Sequence, residues 1–249
     1  MVKKFYENLK NLKSLAPNED TNRVFSELVS YCVSNDVDIE YNDLIKKFND
    51  YCSIWEYELE KYTTTEILNN SNPEEELKKF KYYKNYEKLT TFEYTNSMLF
   101  TDKIENVLFI WWWPLPLTSI VLFYKYWVKS VIVDINQEAV NLSKKLIKKL
   151  WLDKYIKIIQ WDAKTYKDVH KYDLCYVASL VFWSNEHKEI IENIKKIDFK
   201  LLLTRTSHRT RQLLYKKVDE NILKQYFDIQ LIVHPKNEVV NSIILSYKK

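Results

Sequence analysis

The first hundred residues space their apolar positions three and four apart. The stretch "FYENLKNLKSLAPNEDTNRVFSELVSYCV" sets this period, and runs at 43–52, 56–68 and 74–83 continue it. Such spacing predicts amphipathic helices. Between the last two runs, "NNSNPEE" supplies an N-cap candidate and a proline near the first turn of the next helix. From residue 101 the pattern changes. "NVLFI", "SVIVDI", "YIKIIQ", "YDLCYVASLV", "FKLLLTR" and "IQLIVHP" are short apolar runs that predict strands. Helical runs at 137–150 and 186–196 separate the earlier ones. Strands alternating with helices imply an α/β fold with a parallel, doubly wound sheet. The end differs: "FDIQLIVHP" and "VVNSIILSYKK" have only a short connection, which predicts an antiparallel hairpin. The pattern divides the chain into an N-terminal helical domain, 1–100, and a Rossmann-like domain, 101–249.

One segment imitates a membrane span. Residues 107–123 are nearly all apolar, but they fall short of the roughly 20 residues that a helical span requires. Pro114 and Pro116 lie in the middle, where both would damage a helix. The segment reads instead as strand, turn and helix. The N-terminus "MVKKFYENLKNLKSL" has no apolar core of a signal peptide, so a cytoplasmic protein is expected. The net charge of +4 is mild and no Lys/Arg block stands out, which disfavours nucleic acid as a partner. Cys32, Cys52 and Cys175 have wide, motif-free spacing and read as three reduced thiols, neither a disulfide framework nor a zinc site.

Composition adds a further feature. The 249 residues include no glycine and eight tryptophans. Average usage, about 7%, would place roughly 17 glycines in a chain of this length. The tryptophans stand where glycine is expected. Trp111, Trp112 and Trp113 fill the turn after the first strand, in "VLFIWWWPLPLTSI". That turn normally needs glycine for tight geometry and close cofactor approach. Trp127 lies between a helix and a strand, and Trp151 where a helix C′ glycine is expected. Trp161 and Trp183 follow strands, and Trp55 lies near a helix start. Glycine at these positions would restore ordinary loop chemistry, as in "KLGLDKY" for "KLWLDKY". The chain therefore reads as a glycine-to-tryptophan version of a glycine-bearing sequence.

Five segments carry a family resemblance. "LKSLAPNEDTNRVFSELV", "FKYYKNYEKLTTFEY", "FIWWWPLPLTSIVL", "RTSHRTRQLLYKKVD" and "VHPKNEVVNSIIL" resemble, in the right order, conserved-pattern segments of the nicotianamine synthases of plants and archaea. The resemblance covers essentially the whole chain. It implies a helical domain on a class I methyltransferase-like sheet that binds S-adenosylmethionine as substrate. It also implies a particular reaction: an amine attacks the side-chain carbon beside the sulfonium, a 3-amino-3-carboxypropyl group moves, and methylthioadenosine leaves. Repetition and closure of an azetidine ring give nicotianamine, a metal chelator. Metal is then bound by the product, with no metal site on the protein. The implied partner is a small molecule, with no nucleic acid and no membrane, and a homodimer is the candidate assembly.

Candidate residues follow. Asp134 ends the strand "SVIVD", where a carboxylate can accept both ribose hydroxyls; the alternative is a solvated strand-end aspartate. Asp162 follows "YIKIIQ" and resembles the acidic residue directed at the adenine amine. Trp111, Trp112, Trp113 and Pro114 occupy the implied cofactor turn. Glu93 matches a glutamate placed near the attacking amine, with Tyr86 beside it; an exposed helix carboxylate is the alternative. Tyr83, Ser179, His208, Arg211 and Tyr215 are the implied substrate contacts, Arg211 through its fork on a carboxylate; for the tyrosines core packing is the alternative. His170 and His187 read as solvated, and His234 matches the family without a role. Arg209, Gln212 and Asn237 replace glycines of the plant pattern. Two other functions stay open: a small-molecule class I methyltransferase, and a non-catalytic fold whose pocket the tryptophans fill.

Overall fold

The computed structural model describes residues 1–40, 42–110, 113–179 and 187–249. Five helices come first: α1 (Val2–Lys10), α2 (Glu19–Ser34), α3 (Asp43–Asn69), α4 (Pro73–Lys78) and α5 (Tyr83–Ser97). Asparagine side chains start three of them. Asn18 caps α2 through Thr21 N–H, Asn42 caps α3 through Leu44 and Ile45 N–H, and Asn72 caps α4 with Pro73 in the first turn.

Two helical runs, 43–52 and 56–68, are one helix of 27 residues. No proline interrupts them, and the capping-box spacing Ser53-x-x-Glu56 is overridden because Cys52 and Trp55 are buried on the same face as Leu59, so the hydrogen-bond ladder continues. Trp55 accordingly lies within α3 and not near a helix start. Its indole stacks on Phe25 at 4.2 Å in the core. The predicted helix at 74–83 stops at Lys78, and α5 begins at Tyr83. Leu77 and Phe80 are buried across this break, so apolar anchoring reorients the chain.

The sheet has seven strands: β1 (Asn106–Ile110), β2 (Lys129–Asp134), β3 (Ile156–Gln160), β4 (Tyr172–Val177), β5 (Phe199–Thr206), β6 (Phe227–Val233) and β7 (Ser242–Lys248). Their order is β3-β2-β1-β4-β5-β7-β6. The first five are parallel, and β7 runs antiparallel between β5 and β6. This is the doubly wound sheet with a terminal hairpin that the sequence predicted. Helices α6 (Leu117–Tyr126), α7 (Gln137–Lys149), α8 (His187–Ile194) and α9 (Glu220–Tyr226) join the strands. One apolar core runs without interruption from Leu9 and Phe48 in the helices to Leu108, Leu174 and Leu203 in the sheet.

Helix α3 positions the site. At one end, Asn49 Nδ2 donates to Gln212 O at 2.7 Å. Further along, Tyr57 and Lys61 each meet Glu138 of α7 at 2.7 Å. The middle of α3 is thereby held over the carboxyl ends of the central strands.

Two tryptophans stand in left-handed backbone. Trp127 and Trp151, just past α6 and α7, both have φ of 58°. Val128 N–H reaches back to Leu122 O, and Leu152 N–H to Ile147 O. With Trp151 N–H on Lys148 O the second is a Schellman closure, and with Trp127 N–H on Phe123 O the first is an αL closure; both favour glycine at the left-handed position. The indoles project outward, 73% and 84% exposed. Arg209, at a position where the plant pattern has glycine, has φ of 49°. Trp183 lies outside the described residues.

Candidate functional site

A cavity of about 90 Å³ opens where β1, β4 and β5 end beneath α3 and α5. Its polar lining includes Glu56 and Glu60 on α3, Asn85 and Tyr86 on α5, Tyr82, Ser179 after β4, Arg205 on β5, Tyr215, Glu238 and Asn241. Ligands of open α/β sheets occupy this location, beyond the strand carboxyl ends.

Glu56 and Glu60 are one turn apart on α3, so both face the same way. Glu60 is buried and uses both oxygens. It accepts Tyr86 Oη–H at 3.0 Å and Leu115 N–H at 3.2 Å. Burial, then the neighbouring Glu56, pushes its carboxyl well above the ordinary range. Glu56 accepts the Tyr215 hydroxyl. Burial raises it to about 7 against the pull of Tyr215 and Arg205. It still keeps part of its surface open to the cavity.

Arg205 lines the cavity and is anchored from behind. Its Nε and Nη2 donate to the two oxygens of Glu93 at 2.6 and 2.9 Å, and Nη2 also donates to Thr118 Oγ1 at 2.9 Å. A bidentate fork of this geometry is an ionised pair.

The predicted site residues divide accordingly. Tyr86, Ser179, Tyr215 and Trp113 line the cavity. Glu93 does not: it is neither an exposed helix carboxylate nor a free base, but is fully buried with both oxygens on Arg205. Arg211 is also diverted. Its guanidinium lies 3.6 Å from Asp36 and donates to Asn237 O, pinning the 234–241 connection to the end of α2. No fork is left pointing into the cavity. His208 stacks on His234 at 3.9 Å, away from the cavity lining. Tyr83, at the start of α5, is half-buried and does not line the cavity either.

The remaining candidates lie at or after the ends of β1, β2 and β3. Trp111 and Trp112 lie outside the described residues. Trp113 is only 8% exposed and packs on Tyr57 at 6.1 Å. Tyr57 Oη in turn accepts from Asn136 Nδ2 at 3.4 Å, in the turn after β2. Pro114 is buried, with its carbonyl accepting Ser143 Oγ–H at 2.8 Å. Asp134 does not line the cavity. It is buried at the end of β2 with Asn136 N–H on one oxygen at 2.8 Å, and burial raises its carboxyl to about 7. Asp162 Oδ1 accepts Lys164 N–H at 2.9 Å within the loop after β3.

Sequence reasoning missed Glu56, Glu60 and Arg205. The two glutamates carried a signal. Cys52, Trp55 and Leu59 mark the buried face of α3, and a Glu-x-x-x-Glu spacing beside them places both carboxylates near that face. Arg205 had none, because its partner is 112 residues away in sequence.

Among the described residues, no group of His, Cys, Asp or Glu is placed to hold a metal ion, and no helix is long and apolar enough to cross a membrane.

Known proteins share this architecture. The fold superposes on MtNAS solved in complex with MTA and tNA with a TM-score of 0.85, at 24% identity over 100% of this chain and 97% of that one. A glutamate-to-glutamine variant of MtNAS in complex with S-adenosylmethionine superposes with a TM-score of 0.84 at 22% identity, over 99% and 96% of the two chains. In sequence, the chain is 29% identical over 261 residues to nicotianamine synthase 1 of Arabidopsis thaliana, covering 98% of this chain and 81% of the relative. It is 31% identical over 261 residues to nicotianamine synthase 2 of the same plant, with the same coverage. The family model described as "Nicotianamine synthase protein" matches residues 1–249, and the chain belongs to the nicotianamine synthase family.

Proposed function

We propose that the cavity moves 3-amino-3-carboxypropyl groups between S-adenosylmethionine molecules, building a nicotianamine-type chelator. The amine lone pair of one unit forms a bond to the carbon beside the sulfonium of the other. The carbon–sulfur bond breaks, and sulfur keeps the electron pair as neutral methylthioadenosine. One proton must leave the nitrogen.

The observation that carries this reading is Glu60. A carboxylate with a raised pKa, fixed by Tyr86 and Leu115 inside a largely apolar cavity, is matched to take a proton from an ammonium. The family relatives and the MtNAS complexes support the choice of substrate. In this reading Glu93 acts through Arg205, which it holds in place for a substrate carboxylate. Asp134 receives the ribose hydroxyls, which would supply the donors that its second oxygen lacks among the described residues. Chromatography of the nucleoside product tests the reaction: methylthioadenosine is expected, and S-adenosylhomocysteine alone would make the protein a methyltransferase instead.

The chain as written is proposed to bind S-adenosylmethionine poorly. Its cavity of about 90 Å³ is small beside the roughly 300–1,000 Å³ of ligand sites, and the Trp113 indole is part of its wall. We also propose that the loop tryptophans replace glycines, a reading supported by the left-handed backbone at Trp127 and Trp151. Peptide mass spectrometry of the protein from its source decides that point; tryptophan at 127 and 151 would refute it. Calorimetry of the chain with Trp111, Trp112 and Trp113 replaced by glycine decides the first. Binding is expected to appear there and to be weak or absent in the chain as written.

A further inference from the structure

We infer that Glu56 is a specificity-determining residue: it holds the α-ammonium of the donor S-adenosylmethionine and so prevents the donor from closing a ring on itself. The inference rests on the reaction proposed above and adds a second carboxylate to it.

Three observations carry it. First, Glu56 and Glu60 share the cavity-facing side of α3, but their bonds differ. Glu60 has a donor on each oxygen. Glu56 has the Tyr215 hydroxyl on one, and no donor among the described residues reaches the other. Second, Arg205 is shared between Glu93, which takes it in a fork, and the α3 carboxylates, so one cation faces three carboxylates. The cavity is thus prepared for positive charge. Third, Tyr215 follows a short helical turn, Arg209–Leu213, whose carbonyls at Gln212 and Leu213 are tied to Asn49. The Glu56 side chain is held at both ends.

The chemistry states what such a carboxylate is needed for. A donor S-adenosylmethionine carries its own α-amine three carbons along the chain from the sulfur. If that amine loses its proton, its lone pair can attack the carbon beside the sulfonium within the same molecule. The carbon–sulfur bond breaks, methylthioadenosine leaves, and the nitrogen releases a proton to give free azetidine-2-carboxylate. The same products of bond breaking appear, but no group has been transferred. A transferase must therefore deprotonate one amine and keep the other protonated. Two carboxylates one helical turn apart divide that work. Glu60 accepts the attacker's proton. Glu56 binds the donor's ammonium, stabilises its charge and turns its nitrogen away from its own electrophilic carbon. The groups that face Glu56 are Glu60 and Cys52 on α3, Tyr82 and Tyr86, Arg205 and Tyr215.

The test measures product partition by mass spectrometry, in the full chain and in the chain with glycine at 111–113. Parent protein is expected to release methylthioadenosine with condensed transfer product and little free azetidine-2-carboxylate. Glu56→Gln should raise the ratio of free azetidine to transfer product by about tenfold, the worth of one charge-assisted hydrogen bond. Glu56→Asp should restore part of the selectivity. Tyr215→Phe, which keeps the carboxylate and removes its tether, should move the ratio in the same direction by less. A lowered rate with an unchanged ratio in both Glu56→Gln and Tyr215→Phe would overturn the inference and leave the reaction standing. Parent protein that releases no methylthioadenosine in either background would overturn both.

Discussion

The two sides of Trp113 are organised in different ways. On the α3 side, every buried charge found has a partner: Glu93 with Arg205, Glu60 with Tyr86 and Leu115, Glu56 with Tyr215. On the β2 side, Asp134 has a single backbone donor on one oxygen, from Asn136. The first region is preorganised by side chains that reach across the fold. The second depends on donors that a ligand would bring. The comparison teaches that side chains from distant elements satisfy the carboxyls under α3, whereas Asp134 relies on its own turn.

The α3 side breaks most severely at its anchor. Arg205→Ala is expected to cost about 3–5 kcal/mol of stability, because Glu93 is left as an uncompensated buried charge. Urea denaturation measures it, and a loss below about 1 kcal/mol would mean that the pair is not buried as described.

The next largest effect falls on catalysis. With glycine at 111–113, Glu60→Gln is expected to lower turnover by about a hundredfold while S-adenosylmethionine affinity changes little. Unchanged turnover would remove Glu60 as the proton acceptor.

Protonation sharpens the comparison, since each side has a carboxyl raised to about 7: Glu56 from 4.5 and Asp134 from 3.8. Between those values the folded protein holds protons that the unfolded chain has released. Stability is therefore highest below the unfolded values and falls as pH rises to about 7, by about 3 kcal/mol for Glu56 and about 4 kcal/mol for Asp134. Thermal melts from pH 5 to 8 should show the decline, and Asp134→Asn and Glu56→Gln should each flatten it. A melting temperature that rises over this range in the parent, with the variants unchanged, would contradict the burial of both groups.

The smallest effects lie far from the cavity. Trp127→Gly and Trp151→Gly are each expected to stabilise the fold by about 1 kcal/mol, by removing a side chain from left-handed backbone. Trp55→Gly provides the contrast, because its indole stacks in the core; it should destabilise by about 3–5 kcal/mol. Equal effects at the three positions would erase the distinction between loop and core tryptophans.

Much of this was legible from local pattern. The alternation of strands and helices, the terminal hairpin and the place of Asp134 at a strand end follow from period-two and period-three-to-four spacing. The need for left-handed backbone at 127 and 151 follows from helix ends that meet the next apolar run. These features depend on neighbours along the chain. The site did not read as well. Tyr86, Ser179 and Tyr215, named by resemblance, line the cavity, whereas Glu93, expected near the attacking amine, and Arg211, expected on a substrate carboxylate, hold protein groups.

What the sequence by itself determined is the set of elements and the turns between them, because propensity, capping and amphipathic period are short-range forces. Only the tertiary structure decided which charges face the cavity. Arg205 meets Glu93 across 112 residues and Tyr215 meets Glu56 across 159. No local period encodes such pairs. They are chosen when folding withdraws them from water, and an unpaired buried charge costs more than the chain's small stability margin permits.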